Sequence, residues 1–371
     1  MMNQWKPLQI GKYTIPLPIV QGGMGVGLSW DQLAGTVSKY GALGTISAVG
    51  TGYYQNGKYA GKMVKGRPVQ PENLNPPQAL QEIFTNARKL CGDAPLACNI
   101  LYALNNYGQI VQDACEAGAN MIVTGAGLPL DLPEFTKAYP DVALIPIVSS
   151  ARALKIICKR WLKRYNRLPD AVVLEGPLSG GHLGFSKEQI TDPAFRLEAL
   201  LPEVVTARNE FGDFPVIAAG GIWTKEDIER MVALGADGVQ IATRFIGTFE
   251  CDASLAQKQA LIDAQAEDIT IIDSPVGHPG RALKSELFRR IETNAAPQIA
   301  CVSNCVGPCE RGTGARKVGF CIADRLSDTQ FAEDPTLGLY FTGAYGYRLE
   351  KLQTVKSVLA ELTGTDATAL V

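Results

Sequence analysis

The sequence predicts an α/β protein, a TIM (β/α)8 barrel with an insertion after strand eight that carries a four-cysteine cluster site. Three observations point there. Short apolar runs alternate with helical patterns through residues 1–250, eight times over. The runs are continuously apolar rather than alternating, as strands buried on both faces of a parallel sheet are. Glycines gather where those strands would end, the edge on which such a barrel carries its active site. A doubly wound open sheet shares the alternation and stays open as a rival at this level.

In order, Leu17-Val20 reads as strand one, between Pro16 and Gly22, and Trp30-Lys39 as a helix with Ser29 as its N-cap. Ala42-Ser47 is strand two. Residues 50–77 are rich in Gly, Pro and Tyr and longer than an ordinary βα connection, so they are expected to shape a site. Pro77-Leu90 is a helix, Leu96-Leu101 strand three, Tyr107-Ala117 a helix and Asn120-Thr124 strand four. Pro133-Ala138 is a short helix, Val142-Val148 strand five, Ala151-Tyr165 a helix and Ala171-Leu174 strand six. Phe195-Glu210 is a helix, Phe214-Ala219 strand seven, Lys225-Leu234 a helix and Gly238-Ala242 strand eight.

Beyond Ala242 the pattern changes. Asp252-Gln265 is a helix, Asp273-Leu283 a Pro/Gly loop, Glu286-Thr293 a helix and Gly346-Leu362 a C-terminal helix. The division expected is a barrel over 1–250, an inserted lid and cysteine segment over 251–340, and a closing helix over 341–371.

Of the 371 residues, 46% are hydrophobic and 19% charged, which excludes a disordered chain. A net charge of −2 gives no electrostatic case for nucleic acid. No apolar run approaches the ~20 residues that span a bilayer. The N-terminus has no apolar segment of the signal-peptide type, so a cytoplasmic protein without membrane partners is expected.

The chain has two histidines, His182 and His278. His182 lies in EGPLSGGHLGF (175–185), where strand six gives way to a glycine loop. Histidine is the side chain whose ordinary pKa lies near neutrality, which makes His182 the candidate base. Further glycines follow strand one (Gly22, Gly23, beside Met24), strand six (Gly180, Gly181) and strand seven (Gly220, Gly221). Consecutive backbone N–H groups form anion cradles, and barrels commonly bind phosphate after strands seven and eight. Gly220, Gly221, Ala242 and Thr243 are therefore phosphate candidates, with Arg244 close enough in sequence to add charge. GGMGVG fits no frame of the dinucleotide fingerprint. Gly52 to Lys58 begins like a P-loop, but Tyr59 stands where Ser or Thr would bind magnesium.

Five of the nine cysteines are scattered: Cys91, Cys98, Cys115, Cys158 and Cys251. Cys301, Cys305, Cys309 and Cys321 crowd into one turn-rich segment. Four thiolates can hold zinc or an iron–sulfur cluster, and the missing C-x-x-C knuckle favours iron–sulfur. The helix with Lys155, Lys159, Arg160, Lys163, Arg164 and Arg167 is a basic patch, either a solvated face or a dock for an acidic partner.

These residues together resemble the nitronate monooxygenase/2-nitropropane dioxygenase family of FMN barrels, which includes the flavin-dependent enoyl-acyl carrier protein reductases. The resemblance rests on PIVQGGMGVG (18–27), LEGPLSGGHLGF (174–185), PVIAAGGIWTKEDI (215–228), GADGVQIATRF (235–245) and SPVGHPGRALKSELFRRIE (274–292). ISAVGTGYY (46–54), CNILYALNNYG (98–108) and ACVSNCVGPC (300–309) look closer still to the branch of bacterial acyl-acyl carrier protein dehydrogenase/isomerases.

The resemblance implies FMN and a 4Fe–4S cluster, and a homodimer. The implied reaction is oxidation of a medium-chain saturated acyl carrier protein thioester to the trans-2-enoyl form, followed by isomerisation to cis-3-enoyl, with molecular oxygen as acceptor. It implies that Gly22, Gly23 and Met24 line the flavin and that Asn99 and Glu175 contact its ring or ribityl chain. Gly180, Gly181, Gly220, Gly221, Gln240 and Thr243 would hold ribityl chain and phosphate, and His182 would be catalytic. His278 departs from the family pattern, where an aromatic is expected. Nitronate oxidation, enoyl reduction with a nicotinamide, and a flavin or iron–sulfur redox sensor are the rival functions.

Overall fold

The computed structural model describes residues 5–55, 58–59, 61–299 and 301–370. Asn56 and Gly57 of the P-loop-like run, and Ala300 at the head of the cysteine run, lie outside the described residues.

Eight parallel strands form the barrel: β1 (Ile19–Gln21), β2 (Gly44–Ser47), β3 (Leu96–Leu101), β4 (Met121–Gly125), β5 (Ala143–Val148), β6 (Val172–Glu175), β7 (Val216–Ala219) and β8 (Gly238–Ile241). From β2 to β8 each pairs with the next, and β8 pairs with β1. The ring closes where Val20 bridges Leu43, with the Leu43 N–H donating to Ile19 O at 2.9 Å and the Gln21 N–H to Leu43 O at 2.8 Å. This closure separates a barrel from the rival open sheet. β1 begins at Ile19 rather than Leu17 because Pro18 has no N–H to give the ladder.

Two apolar layers follow from the strands' double burial. Inside the ring, Val20, Ala97, Met121, Val123, Ile145, Val173 and Ile217 interdigitate. An N-terminal hairpin, Leu8–Ile10 with Tyr13–Ile15, plugs the bottom of that layer with Leu8, Ile10 and Ile15. Outside it, helices such as Asp31–Lys39, Pro77–Cys91, Ala151–Tyr165 and Leu197–Asn209 pack their apolar faces on the strands.

One polar device recurs at the bottom edge. Asn120, Asp170 and Asp237 each precede a strand and exchange two hydrogen bonds with a residue of the neighbouring strand. Their side-chain oxygens accept from the N–H groups of Leu96 (2.9 Å), Leu144 (2.7 Å) and Val216 (2.8 Å). Their own N–H groups donate to the same three carbonyls at 2.9, 3.0 and 2.8 Å. The staples pin strand register at the end remote from the site.

Beyond the barrel, several expectations need correction. Asp273-Leu283 is not a plain loop: Gly280–Leu283 is a strand between Ile269–Ile272 and the two-residue strand Gly181–His182. The helix expected over 252–265 is confined to Leu255–Ile262, and the C-terminal helix to Val355–Thr363. Residues 50–77 hold two small hairpins, Tyr54–Gln55 with Lys58–Tyr59 and Met63–Val64 with Arg67–Pro68. Among the described residues, no helix is long and apolar enough to cross a membrane.

Ser29 does not cap the first helix. Its hydroxyl accepts the Met24 N–H at 2.8 Å, while Asp252 caps the helix from more than two hundred residues away. One Asp252 oxygen accepts the N–H groups of Trp30 (2.8 Å) and Leu33 (3.2 Å), the other that of Gln32 (3.2 Å). Losing a cap with three donors leaves buried N–H groups unpaired, so Asp252→Ala should cost about 1–3 kcal/mol. Asp252→Asn, which keeps one acceptor oxygen, should cost less. A lower urea midpoint for the alanine variant than for asparagine is the expected result.

Candidate active site

The C-terminal ends of the strands meet at one mouth, and the predicted glycine loops line it. β6 ends at Glu175, and the chain turns through Gly176 to Gly180 before His182. Burial pushes the Glu175 carboxyl up to about 7, against the lowering effect of a hydrogen bond from Ser179. At neutral pH this side chain can therefore donate as well as accept.

His182 is held from three sides. Its backbone pairs with Gly280, and the Leu183 N–H donates to Pro279 O at 2.9 Å. The Ser274 Oγ lies 2.7 Å from its Nε2. Phe341 meets the imidazole edge to face, with ring centroids 5.1 Å apart. Burial, and secondarily the nearby His278, lowers the His182 pKa to about 4. The ring is thus neutral at physiological pH, the form that can accept a proton.

The loop before His182 is fixed by Arg281. Its guanidinium, buried and without a carboxylate partner among the described residues, donates to Pro177 O at 2.7 Å and Ser179 O at 2.6 Å. Burial lowers its pKa to about 10, so it stays charged near neutrality.

The remaining candidates fall into two corners. In the first, a Cβ on Gly22 would lie 3.2 Å from the Ala242 Cβ and 3.4 Å from the Gln240 side chain. Beside it, a Cβ on Gly23 would lie 2.3 Å from the Asn99 Cβ, so only glycine lets the loop after β1 approach β3 here. Asn99 is further held by a 3.3 Å bond to Val123 O, and Met24 is half-buried at the rim.

In the second corner, Gly220 and Gly221 take φ of +95° and +78°, two successive left-handed residues that favour glycine. Thr243 and Gly180 join them from the neighbouring strand ends. Thr342–Ala344 completes the corner. The Gly343 N–H donates to the Thr243 Oγ1 at 2.9 Å, and the Ala344 N–H to Leu178 O at 3.0 Å. A Cβ on Gly343 would lie 3.0 Å from the Thr243 Oγ1 and 3.8 Å from the Gly180 N, filling the space between them. Main-chain amides, a hydroxyl and room that a side chain would take suit a phosphate, so these residues fit the phosphate end of FMN.

Arg244 does not join that corner. It donates to Trp223 O at 2.7 Å and pairs with Glu361, which turns its charge away. Ser274, Arg281, Phe341 and Thr342–Ala344 are the contributors that sequence reasoning missed. The SPVGHPGR and TGAYG runs carried the only signal, clusters of glycine and proline outside the strand–helix alternation.

A cavity of about 1290 Å³ opens beside Ser274 and His278, walled by Ile271, Val276, Phe288, Val318 and Phe320. A smaller one, about 540 Å³, lies at the barrel bottom between Leu8, Pro169 and Phe214 and has no access to His182.

The cysteine segment packs against two barrel excursions. The Asn105 N–H donates to Cys305 O at 3.1 Å and the Gly307 N–H to Ala103 O at 2.9 Å. Gln70 accepts from the N–H groups of Val302 (3.0 Å) and Ser303 (2.9 Å) and reaches the Cys321 sulfur at 3.8 Å. Among the described residues no three or more His, Cys, Asp or Glu side chains are gathered closely enough to hold one metal ion. Cys301, Cys305, Cys309 and Cys321 are therefore not drawn together as one ligand set, for a cluster or for zinc, in this arrangement of the segment. Of the scattered thiols, Cys98, Cys115, Cys158 and Cys251 are buried and Cys91 is half-buried.

A histidine with a depressed pKa weakens the fold as pH falls from the unfolded value of about 6.5 toward about 4, because the unfolded chain takes the proton first. In a His278→Gln variant with labelled histidine, NMR should show His182 neutral at pH 6 and protonating near pH 4.

With the geometry in hand, comparison places the chain among known proteins. A family profile described as nitronate monooxygenase matches residues 6–365. The nitronate monooxygenase of Pseudomonas aeruginosa is 26% identical over 288 residues, covering 74% of this chain and 78% of that protein. FabK from Thermotoga maritima superposes with a TM-score of 0.70 at 23% identity, covering 94% of this chain and 92% of that one. Nitroalkane oxidase from Streptomyces ansochromogenes gives 0.63 at 23% identity, covering 96% and 98%. The profile spans nearly all of the sequence, the barrel agrees with it, and the chain belongs to the nitronate monooxygenase family of FMN-using oxidoreductases.

Proposed function

We propose that this oxidoreductase removes two hydrogens from a medium-chain saturated acyl thioester carried on acyl carrier protein, giving the trans-2-enoyl form, and then isomerises it to cis-3-enoyl for unsaturated fatty acid synthesis. One observation carries the choice of substrate. The cavity lined by Ser274 and His278, with Ser274 in contact with His182, is about 1290 Å³, above the usual ~300–1,000 Å³ of small-ligand sites, and its walls are partly apolar. An alkyl chain with its thioester arm suits that volume better than a small nitroalkane.

When bound, FMN supplies the acceptor for the hydride that leaves the β-carbon. Gly22, Gly23, Met24, Asn99, Glu175 and Gln240 would face its ring and ribityl chain, and Gly180, Gly181, Gly220, Gly221, Ala242 and Thr243 its phosphate end. The neutral imidazole of His182 takes the α-proton. Ser274 holds the ring by its Nε2, and Phe341 keeps water from one face. For isomerisation the same imidazole takes a proton from the γ-carbon and returns one at the α-carbon. Oxygen as final acceptor, a homodimer and a cytoplasmic location belong to this proposal.

A 4Fe–4S cluster on Cys301, Cys305, Cys309 and Cys321 also belongs to it. Supporting it is the sequence alone, four cysteines within one turn-rich segment.

The second reading is nitronate oxidation, supported by the family match and the Pseudomonas relative. It needs the same flavin and the same base. Under argon, an acyl carrier protein thioester should bleach the flavin, and an alkyl nitronate should do so at least tenfold more slowly; the reverse order selects nitronate. His182→Ala should retain FMN while substrate-driven bleaching falls about 10²–10⁴-fold. Near-wild-type bleaching would remove His182 from the mechanism. Iron and acid-labile sulfide in the purified protein, both lost in Cys305→Ser, are the expected signs of the cluster.

A further inference from the structure

The helix Ala151–Tyr165 buries Leu154, Ile157, Cys158 and Trp161 against the barrel. At about 100° per residue, Arg152, Ile156, Lys159, Arg160 and Lys163 fall on the opposite side, and all five are exposed. The helix has no acidic residue, and its first turn carries Arg152 where the helix dipole disfavours a cation. Lys155 is paired with Glu210 and, just past the helix, Arg167 with Asp170. Arg152, Lys159, Arg160 and Lys163 have no carboxylate partner among the described residues. Lys159 and Lys163 stand one turn apart with like charge, an arrangement that weakens a helix in isolation. Yet the whole chain has a net charge of −2, so this is a local concentration of charge rather than a basic protein. Ile156, 39% exposed, places an apolar side chain in the middle of the stripe.

The stripe also points to the site. The helix begins directly beyond β5, at the barrel mouth. Gly184, two residues after His182, packs there: a Cβ on it would lie 3.1 Å from the Ser149 Oγ. Ser186, Lys187 and Glu188, next along the chain, line the cavity that Ser274 also lines. From Arg152 to Lys163 the stripe runs about 16 Å away from that mouth at 1.5 Å per residue.

We propose that Arg152, Ile156, Lys159, Arg160 and Lys163 form the docking surface for an acidic helix of the carrier protein. Docked there, the carrier extends its thioester arm past the helix's first turn and into the cavity lined by Ser274, which contacts His182. The proposal rests on the acyl thioester reading given above. The charges match an acidic surface and would steer its approach, and Ile156 offers an apolar contact at the centre.

The test uses the FMN-loaded protein and fluorescently labelled acyl carrier protein, with binding read by anisotropy at low ionic strength. The triple variant Lys159→Glu, Arg160→Glu, Lys163→Glu should bind at least tenfold more weakly than wild type. It should keep its FMN content and its rate of flavin reduction by a neutral N-acetylcysteamine acyl thioester. Wild-type affinity should fall as sodium chloride rises. Equal affinity in the variant, or no binding by wild type, overturns the docking surface. Binding of wild type to phosphatidylglycerol vesicles but not to carrier protein overturns it in favour of a membrane contact. Flavin reduction is read separately: tight carrier binding without reduction by any acyl thioester would overturn the reaction and leave the docking surface standing.

Discussion

The site depends on a buried cation that meets no carboxylate among the described residues. Arg281 sits beneath the SGGH loop and donates to two carbonyls of that loop, Pro177 O and Ser179 O. Taking a guanidinium out of water is expensive, and two carbonyl dipoles offset only part of the loss. The residual cost appears as the lowered pKa of Arg281. What the arrangement provides is position. The same residue pairs through its backbone with Gly181, so strand and side chain grip the loop from two directions. His182 is the next residue and inherits that placement.

From this grip the other contacts follow in order. The Gly280–Leu283 strand brings the turn at Ser274 with it, and Ser274 meets His182. Ala282 bridges Phe341, and Phe341 covers the imidazole. Thr342–Ala344, next along the chain, then closes against Thr243 and Leu178 at the proposed phosphate corner. A mouth formed by the strand ends alone would leave His182 on a free loop. The segments after β8 convert it into a walled site.

The barrel was legible because its cause is local. A strand buried on both faces must be apolar throughout, and a turn at its end asks for glycine, so both marks lie within a few residues of each other. Strand boundaries went wrong where one residue decided them, as at Pro18. The site was half legible for the same reason. His182 and the glycine pairs stand at strand ends and could be found by counting. Ser274 and Arg281 lie about a hundred residues from their partners, and only the folded chain brings them together. Arg244 shows the converse error: sequence proximity to Thr243 implied a charge at the corner, but Trp223 O and Glu361 draw the guanidinium away. Ser29 failed as a cap because Asp252 offers a stronger acceptor from the far end of the chain.

The cysteine segment is placed by the protein before any metal is considered. Backbone bonds from Asn105 and Gly307 tie it to the loop after β3, and the Gln70 side chain ties it to the excursion between β2 and β3. Burial holds Cys305 as a thiol at neutral pH, pushed up to about 11. A metal centre there would have to displace protons from desolvated sulfurs, so its binding would be steeply favoured by rising pH. Hydrogen bonds that already fix the loop reduce what a cluster must do to hold it. A cluster bound at that place would sit on a segment that hydrogen bonds from Asn105, Gly307 and Gln70 also hold to the barrel.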